Sequence, residues 1–363
     1  MLRVSPVVAF LLFTLLLPSS HSMKAYVYDK ASPSGMTFLK DFQHSASAAI
    51  ESAPLARGQL LVDVKAVSLN PVDYKKPGVP LVFGDCNLKP ASQDFAGVVI
   101  GAGEGSSYKV GDEVFGVGII AYGVLVEKTV VAERNIAKKP AGISFAEAAS
   151  LPTTAVTGLQ ALQGQGLQKG GTCIVIGASG GCGIVGVQIA RSIVGKGGQV
   201  YGITSAKNFP AVERLRACDG LLDYARPESI TGPDSVLRKS KVDVIYDTVS
   251  STERYDSFNG QSYQDALSFT GARIAAINGS GLAFLSYFLG LQYVINIFSS
   301  RYKLSFANIN SAAMTSIAEL VERGELQTVI DQTFDMTEEG CARAFDRIRS
   351  RRAVGKVVIN VGA

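Results

Sequence analysis

An apolar run, Thr172-Cys173-Ile174-Val175-Ile176, turns through Gly177-Ala178-Ser179-Gly180-Gly181-Cys182-Gly183 into a helix-like segment over residues 185–194. A strand that enters a helix through glycines presents free backbone N–H groups and the positive end of the helix dipole, an arrangement suited to holding a phosphate. Glycines let the main chain approach that phosphate and let the helix lie close to the strand. The glycines stand at 177, 180, 183 and 186, a spacing that departs from G-x-G-x-x-G, and an ordinary tight turn is the bland alternative to a dinucleotide site. Gly177-Ala178-Ser179-Gly180-Gly181 also fits the G-x-S-x-G elbow of serine hydrolases. Such an enzyme needs a histidine after its serine, and the two histidines, His21 and His44, both precede it.

The next strand-like run, Gln199-Val200-Tyr201-Gly202-Ile203-Thr204, ends about 20 residues beyond the glycines, where a dinucleotide fold meets the adenosine ribose. An NAD enzyme places Asp or Glu there. This chain has Thr204, Ser205 and Lys207, with no acid before Glu213. Hydroxyls and an ammonium bind a 2′-phosphate that a carboxylate would repel, so NADPH is the expected cofactor.

These residues need elements to position them. From Met23 to about Ser150 short alternating runs, among them residues 59–67, 97–101 and 111–116, are broken by glycine and proline and predict a mostly-β region. From about Leu151 the rhythm becomes strand, helix, strand, helix, with buried strands expected at 242–246 and 272–277, which predicts an α/β doubly wound parallel sheet. The last fifty or so residues repeat helix and strand and end in Gly355-Lys356-Val357-Val358-Ile359-Asn360-Val361. With 363 residues and 47% apolar content the chain fills two cores. Its net charge of +4 is dispersed, without a basic run, so no nucleic-acid partner is expected. Cys86, Cys173, Cys182, Cys218 and Cys341 are scattered and odd in number, which reads as reduced, buried thiols.

Residues 1–22 carry Arg3, an apolar run over 7–17 and a small polar end, Ser20-His21-Ser22. That pattern predicts a signal peptide and the secretory pathway. Five free thiols and a sequon, Asn278-Gly279-Ser280, inside the expected cofactor region argue against a secreted mature protein, and Met23 opens what reads as an enzyme start; the signal pattern favours the secretory pathway, with a cytoplasmic or mitochondrial protein as the alternative. Residues 279–300 carry no charge, but Gly290, Gln292 and Asn296 interrupt them. A buried helix, a subunit contact or an apolar lid is expected there in preference to membrane insertion.

Asn70-Pro71-Val72-Asp73-Tyr74-Lys75, Asp94-Phe95-Ala96-Gly97, Gly111-Asp112-Glu113-Val114-Phe115-Gly116, residues 149–158 and the glycine turn occur in this order. Together they resemble the zinc-independent quinone oxidoreductase branch of the medium-chain dehydrogenase/reductase superfamily. The tail, with Ile317 to Gly324, Val329 to Phe334 and Gly355 to Val361, resembles the reticulon-4-interacting protein 1-like group within it. The resemblance implies a GroES-like mostly-β domain over residues 23–150 and 306–363 around a Rossmann NADP(H)-binding domain over 151–305. It also implies an active site in the cleft between them, and a homodimer. Zinc-dependent cousins carry a Gly-His-Glu motif where this chain has Gln93-Asp94-Phe95, and a four-cysteine loop that it lacks, so no metal is expected.

By the same resemblance, Ser179, Gly180, Gly181, Cys182 and Gly183 wrap the pyrophosphate, Cys182 replacing the usual valine. Ser205 and Lys207, beside Thr204, meet the 2′-phosphate with Tyr224. Thr157 faces the nicotinamide side of the cofactor site, with Thr248 and Asn278 at the ends of later strands. Asn70, Asp73 and Tyr74 line the substrate side, Tyr74 as the candidate hydrogen-bond donor or proton source. The expected reaction is hydride transfer from NADPH to a small-molecule quinone or α,β-unsaturated carbonyl. A 2-enoyl thioester reductase and a catalytically idle NADPH-binding sensor or scaffold are the alternatives.

Overall fold

The computed structural model describes residues 23–42, 54–78, 86–118, 123–249, 263–277 and 301–362. The signal-like residues 1–22, His44, Asn278 and the apolar segment 279–300 lie outside them. Among the described residues no helix is long and apolar enough to cross a membrane.

The strands run in chain order as β1 (Met23–Tyr28), β2 (Met36–Phe42), β3 (Gln59–Leu69), β4 (Asp94–Ala102), β5 (Glu113–Val117), β6 (Lys128–Ala132) and β7 (Ile136–Lys138). They continue as β8 (Thr172–Ile176), β9 (Gln199–Thr204), β10 (Gly220–Asp223), β11 (Val244–Asp247), β12 (Arg273–Ala276), β13 (Tyr302–Leu304), β14 (Ile330–Asp335) and β15 (Lys356–Asn360). Five helices matter for the site: α1 (Pro71–Lys75), α2 (Pro152–Gly164), α3 (Gly181–Val194), α4 (Ser311–Glu322) and α5 (Glu338–Arg349).

β8 to β13 form one six-stranded sheet in the order β10-β9-β8-β11-β12-β13, with every pairing parallel. Each residue of β8 is buried, which is why that strand reads as an unbroken apolar run: helices cover both faces of a parallel sheet. The order reverses between β8 and β11, and ligands of open α/β sheets bind outside the strand ends at such a reversal. A second, seven-stranded sheet runs β14-β15-β3-β4-β5-β7, with β6 on β3. Its strands come from both ends of the chain: β15 pairs antiparallel with β3, setting Val357 against Leu69.

One apolar core joins the two sheets. Phe115, Ala137 and Val358 of the β domain pack in it with Leu151, Leu162, Val185 and Tyr246 of the parallel-sheet domain. α4 buries Met314, Ile317 and Ala318, a helical stripe, and lies against both β7 and α2. All five thiols are free; Cys86, Cys173 and Cys341 are buried. Cys182 and Cys218 are partly exposed, a departure from the expected burial, because Cys182 sits in the glycine turn at the domain boundary and Cys218 just before the edge strand β10.

Candidate active site

The turn after β8 depends on two close approaches. Gly177 has φ +75°, and a Cβ there would meet Thr248 and Val249 side-chain atoms. Thr248 closes over the turn by donating its hydroxyl to the Ile176 carbonyl at 2.7 Å. A Cβ on Gly183 would stand 2.0 Å from the Gly177 carbonyl oxygen, so no side chain fits. Gly180 is different. Its φ is −77°, and a Cβ would meet nothing closer than the Gly177 oxygen at 3.5 Å. The fold therefore does not demand a glycine at 180, yet the missing side chain opens the N-terminus of the fourteen-residue α3, whose first N–H groups have no intrahelical acceptor. An open cradle on a helix N-terminus fits a dinucleotide pyrophosphate.

At the ends of β8 and β9 the Ser179 hydroxyl lies 2.7 Å from that of Thr204 and accepts from Asn208 Nδ2 at 3.0 Å. Thr204 also receives the Tyr224 N–H on its carbonyl at 3.3 Å, which brings the exposed residue Tyr224 to the edge carrying Ser205 and the exposed Lys207. Asp223, opposite Thr204 across the sheet, turns its carboxylate onto the Ala225 N–H at 3.1 Å. Ser179, Thr204, Ser205, Lys207 and Tyr224 are thus gathered at one sheet edge. Cys182 lies on the first turn of α3, and burial pushes its thiol up to about 11 against the pull of the Lys356 ammonium.

Across the domain boundary a buried polar network faces this turn. Asn70 caps α1, donating its N–H to Asp73 Oδ2 at 2.7 Å, and its Nδ2 donates to Asp94 Oδ2 at 2.8 Å. Lys356 Nζ donates to the Leu69 carbonyl at 2.9 Å and to Asn70 Oδ1 at 2.6 Å, 3.7 Å from Asp94 Oδ2. Thr153, at the start of α2, donates its N–H and hydroxyl to Asp94 Oδ1 at 3.2 and 2.5 Å, and Gln93 Nε2 donates to the Thr153 hydroxyl at 3.1 Å. Burial pushes the Asp94 carboxyl above its usual range, while Lys356, Asn70 and Thr153 pull it back. The stem of Lys356 comes within 3.0 Å of where a Gly181 Cβ would stand, and Gly355 donates its N–H to the Ser179 carbonyl at 2.9 Å. The last strand of the chain is thereby one wall of the cofactor turn.

Asp73, expected on the substrate side, is wholly buried, with Asn70 on Oδ2 and Lys76 Nζ 3.7 Å from Oδ1. It holds Asn70 in place and has no surface for a substrate. Tyr74 is partly buried with its ring against the β-domain core. Thr157 is 7% exposed and spends its hydroxyl hydrogen on the Thr153 carbonyl at 2.6 Å, leaving it only acceptor capacity. Lys356, Asp94, Thr153 and Asn208 were not among the residues to which a role had been given. Two of them carry a signal in the sequence: a lysine beside Val357-Val358-Ile359 and an aspartate opening Phe95-Ala96-Gly97 are charges embedded in apolar strands, and buried charges are paired.

A parallel sheet with a glycine cradle at its order reversal, joined to a β domain built from both chain ends, defines a two-domain nicotinamide-dinucleotide fold. Residues 56–141 match the alcohol dehydrogenase GroES-like domain, and residues 217–359 match the zinc-binding dehydrogenase family. The chain is 31% identical to the chloroplast envelope quinone oxidoreductase homolog of Arabidopsis thaliana, over 83% of this chain and 89% of that one. It is 28% identical to a 2-methylene-furan-3-one reductase of Solanum lycopersicum, over 83% and 71% respectively. It is 26% identical to the human mitochondrial NAD(P)H oxidoreductase RTN4IP1, over 95% and 90%. The solved quinone oxidoreductase of Coxiella burnetii superposes with a TM-score of 0.71 at 23% identity, over 94% of this chain and all of that one, and shares the fold. The chain belongs to the quinone oxidoreductase branch of the medium-chain dehydrogenase/reductase superfamily.

Proposed function

We propose that the protein is an NADPH-dependent oxidoreductase that delivers hydride to a quinone or an α,β-unsaturated carbonyl without zinc. The observation that carries this reading is the packing of the glycine turn on the Lys356–Asn70–Asp94 network, the Lys356 stem standing 3.0 Å from where a Gly181 Cβ would be. NADPH, when bound, supplies the hydride. The residues supply position and charge. Gly180 to Gly183 and the first turn of α3 would hold the pyrophosphate, and Ser205, Lys207 and Tyr224 the 2′-phosphate. The relatives with enone and quinone names support the acceptor class.

On the other wall, Asn70 is fixed at both ends of its amide, by Lys356 and by Asp94, so the cleft side of the β domain is pre-set. A developing acceptor oxygen is stabilised by donors that need not reorganise, and Tyr74, on the same short helix as Asp73, is the proposed donor. Gln93 and Asp94 stand at the place of the zinc-ligand motif of the cousins, Gln93 committed to Thr153 and Asp94 to Asn70 and Thr153, which supports a metal-free reading. The reading includes a homodimer, to be checked by light scattering. The full chain should oxidise NADPH in preference to NADH when given a quinone or an enone, followed by the loss of cofactor absorbance. Binding of NADPH without turnover of any acceptor would sink the catalytic reading and favour a sensor.

A further inference from the structure

Asn208 belongs neither to the glycine turn nor to the Ser205–Lys207 pair, yet it decides what the buried hydroxyls beside them can do. Ser179 is 7% exposed and Thr204 3% exposed. Their oxygens are 2.7 Å apart, and Asn208 Nδ2 donates to Ser179 Oγ at 3.0 Å. Two hydroxyls own two hydrogens. One is used between Ser179 and Thr204, whichever oxygen donates it, and the contact with Asn208 is made with the amide's own hydrogen. One hydroxyl hydrogen is left over, and among the described residues neither oxygen has a further acceptor for it. A buried donor without an acceptor is costly. It lies at the carboxyl ends of β8 and β9, between the Gly180 cradle and the edge bearing Lys207.

We propose that Asn208 is a positioning residue for the cofactor: by donating to Ser179 it keeps the surplus hydroxyl hydrogen free for a phosphate oxygen of the dinucleotide. This rests on the NADPH reading of the site. An acceptor at the same place would reverse the polarity. With Asn208→Asp, a substitution of nearly unchanged shape, the carboxylate takes the Ser179 hydrogen, Thr204 donates to Ser179, and nothing remains for the phosphate.

The experiment measures dissociation constants of the full chain for NADPH and for NADH by fluorescence, with thermal melting alongside. Asn208→Asp should weaken NADPH binding at least about tenfold with the melting temperature unchanged, and part of the loss should persist at high salt, which screens a bare charge effect. Asn208→Ala, which removes the donor without adding charge, should lose a smaller factor, about two- to fivefold. It decides the matter if the aspartate variant does not fold. A loss confined to NADPH assigns the hydrogen to the 2′-phosphate; an equal loss for NADH assigns it to the pyrophosphate. Parent-like binding of both cofactors by both variants overturns the proposal. A parent that binds neither cofactor overturns the NADPH reading itself.

Discussion

Replacing Lys356 by Met keeps most of its stem and removes its ammonium from a site where almost no water can take its place. Lys356 is 4% exposed and Asp94 0%. The substitution strands the Leu69 carbonyl and Asn70 Oδ1, and leaves the Asp94 carboxylate with Asn70 and Thr153 but no cation. Breaking a buried pair from one side costs about 3–5 kcal/mol. Because Asp94 keeps its hydrogen-bond donors, the lower end, about 3 kcal/mol, is expected at neutral pH, a loss that a domain stable by about 5–15 kcal/mol survives. The loss should depend on pH in a definite direction. Burial raises the Asp94 carboxyl while Lys356 pulls it down, so without Lys356 it rises further. A carboxyl raised in the folded state destabilises only where it is ionised. The deficit is therefore full well above that raised value and shrinks as pH falls through it. Urea unfolding of parent and variant at about pH 7 and about pH 5 reads both quantities. Adding Asp94→Asn, which removes the stranded charge, should recover about half of the loss. A deficit below about 1 kcal/mol, or one of equal size at both pH values, would refute the assignment of Lys356 and Asp94 as a coupled buried pair.

Gly183→Ala should abolish the turn, since its methyl would meet the Gly177 carbonyl at 2.0 Å; Gly180→Ala should fold normally and bind NADPH at least about tenfold more weakly. A Gly180→Ala protein with parent-like affinity would show that the cradle holds nothing. Lys207→Glu should shift the preference toward NADH in a ratio of kcat/KM values, without altering the melting temperature, because the ammonium is exposed. Tyr74→Phe should lower kcat modestly with the quinone; an unchanged kcat/KM removes Tyr74 from the reaction.

Much of the architecture was written locally. The expected strands at 59–67, 97–101, 111–116, 199–204, 242–246 and 272–277 correspond to β3, β4, β5, β9, β11 and β12, with residues 111 and 112 standing before β5, since their burial patterns depend on near neighbours and sheet faces. The glycine turn was legible because a close approach leaves glycine as the sole solution at Gly183. The network opposite it was not. Lys356 meets Asn70 across 286 positions of chain, and no periodicity reports so distant a pairing. Asp73 was misplaced for a related reason. A carboxylate three residues after an asparagine serves equally as a cap from below or as a group facing a ligand, and only the packing around α1 decides. Asn208 looked like one more polar residue in a turn until the hydroxyls it directs were brought beside it.

The Gly355 N–H on the Ser179 carbonyl has a consequence for how the protein is made. The glycine turn, at residues 177–183, leaves the ribosome well before its far wall, Gly355 and Lys356. The nucleotide crevice therefore cannot be completed during translation by the central domain alone. A nascent chain stalled before β15, or a message truncated there, carries every glycine of the turn and still lacks the strand that packs against it. A ligand held in this crevice would therefore stabilise chains that include β15 selectively over fragments that stop before it.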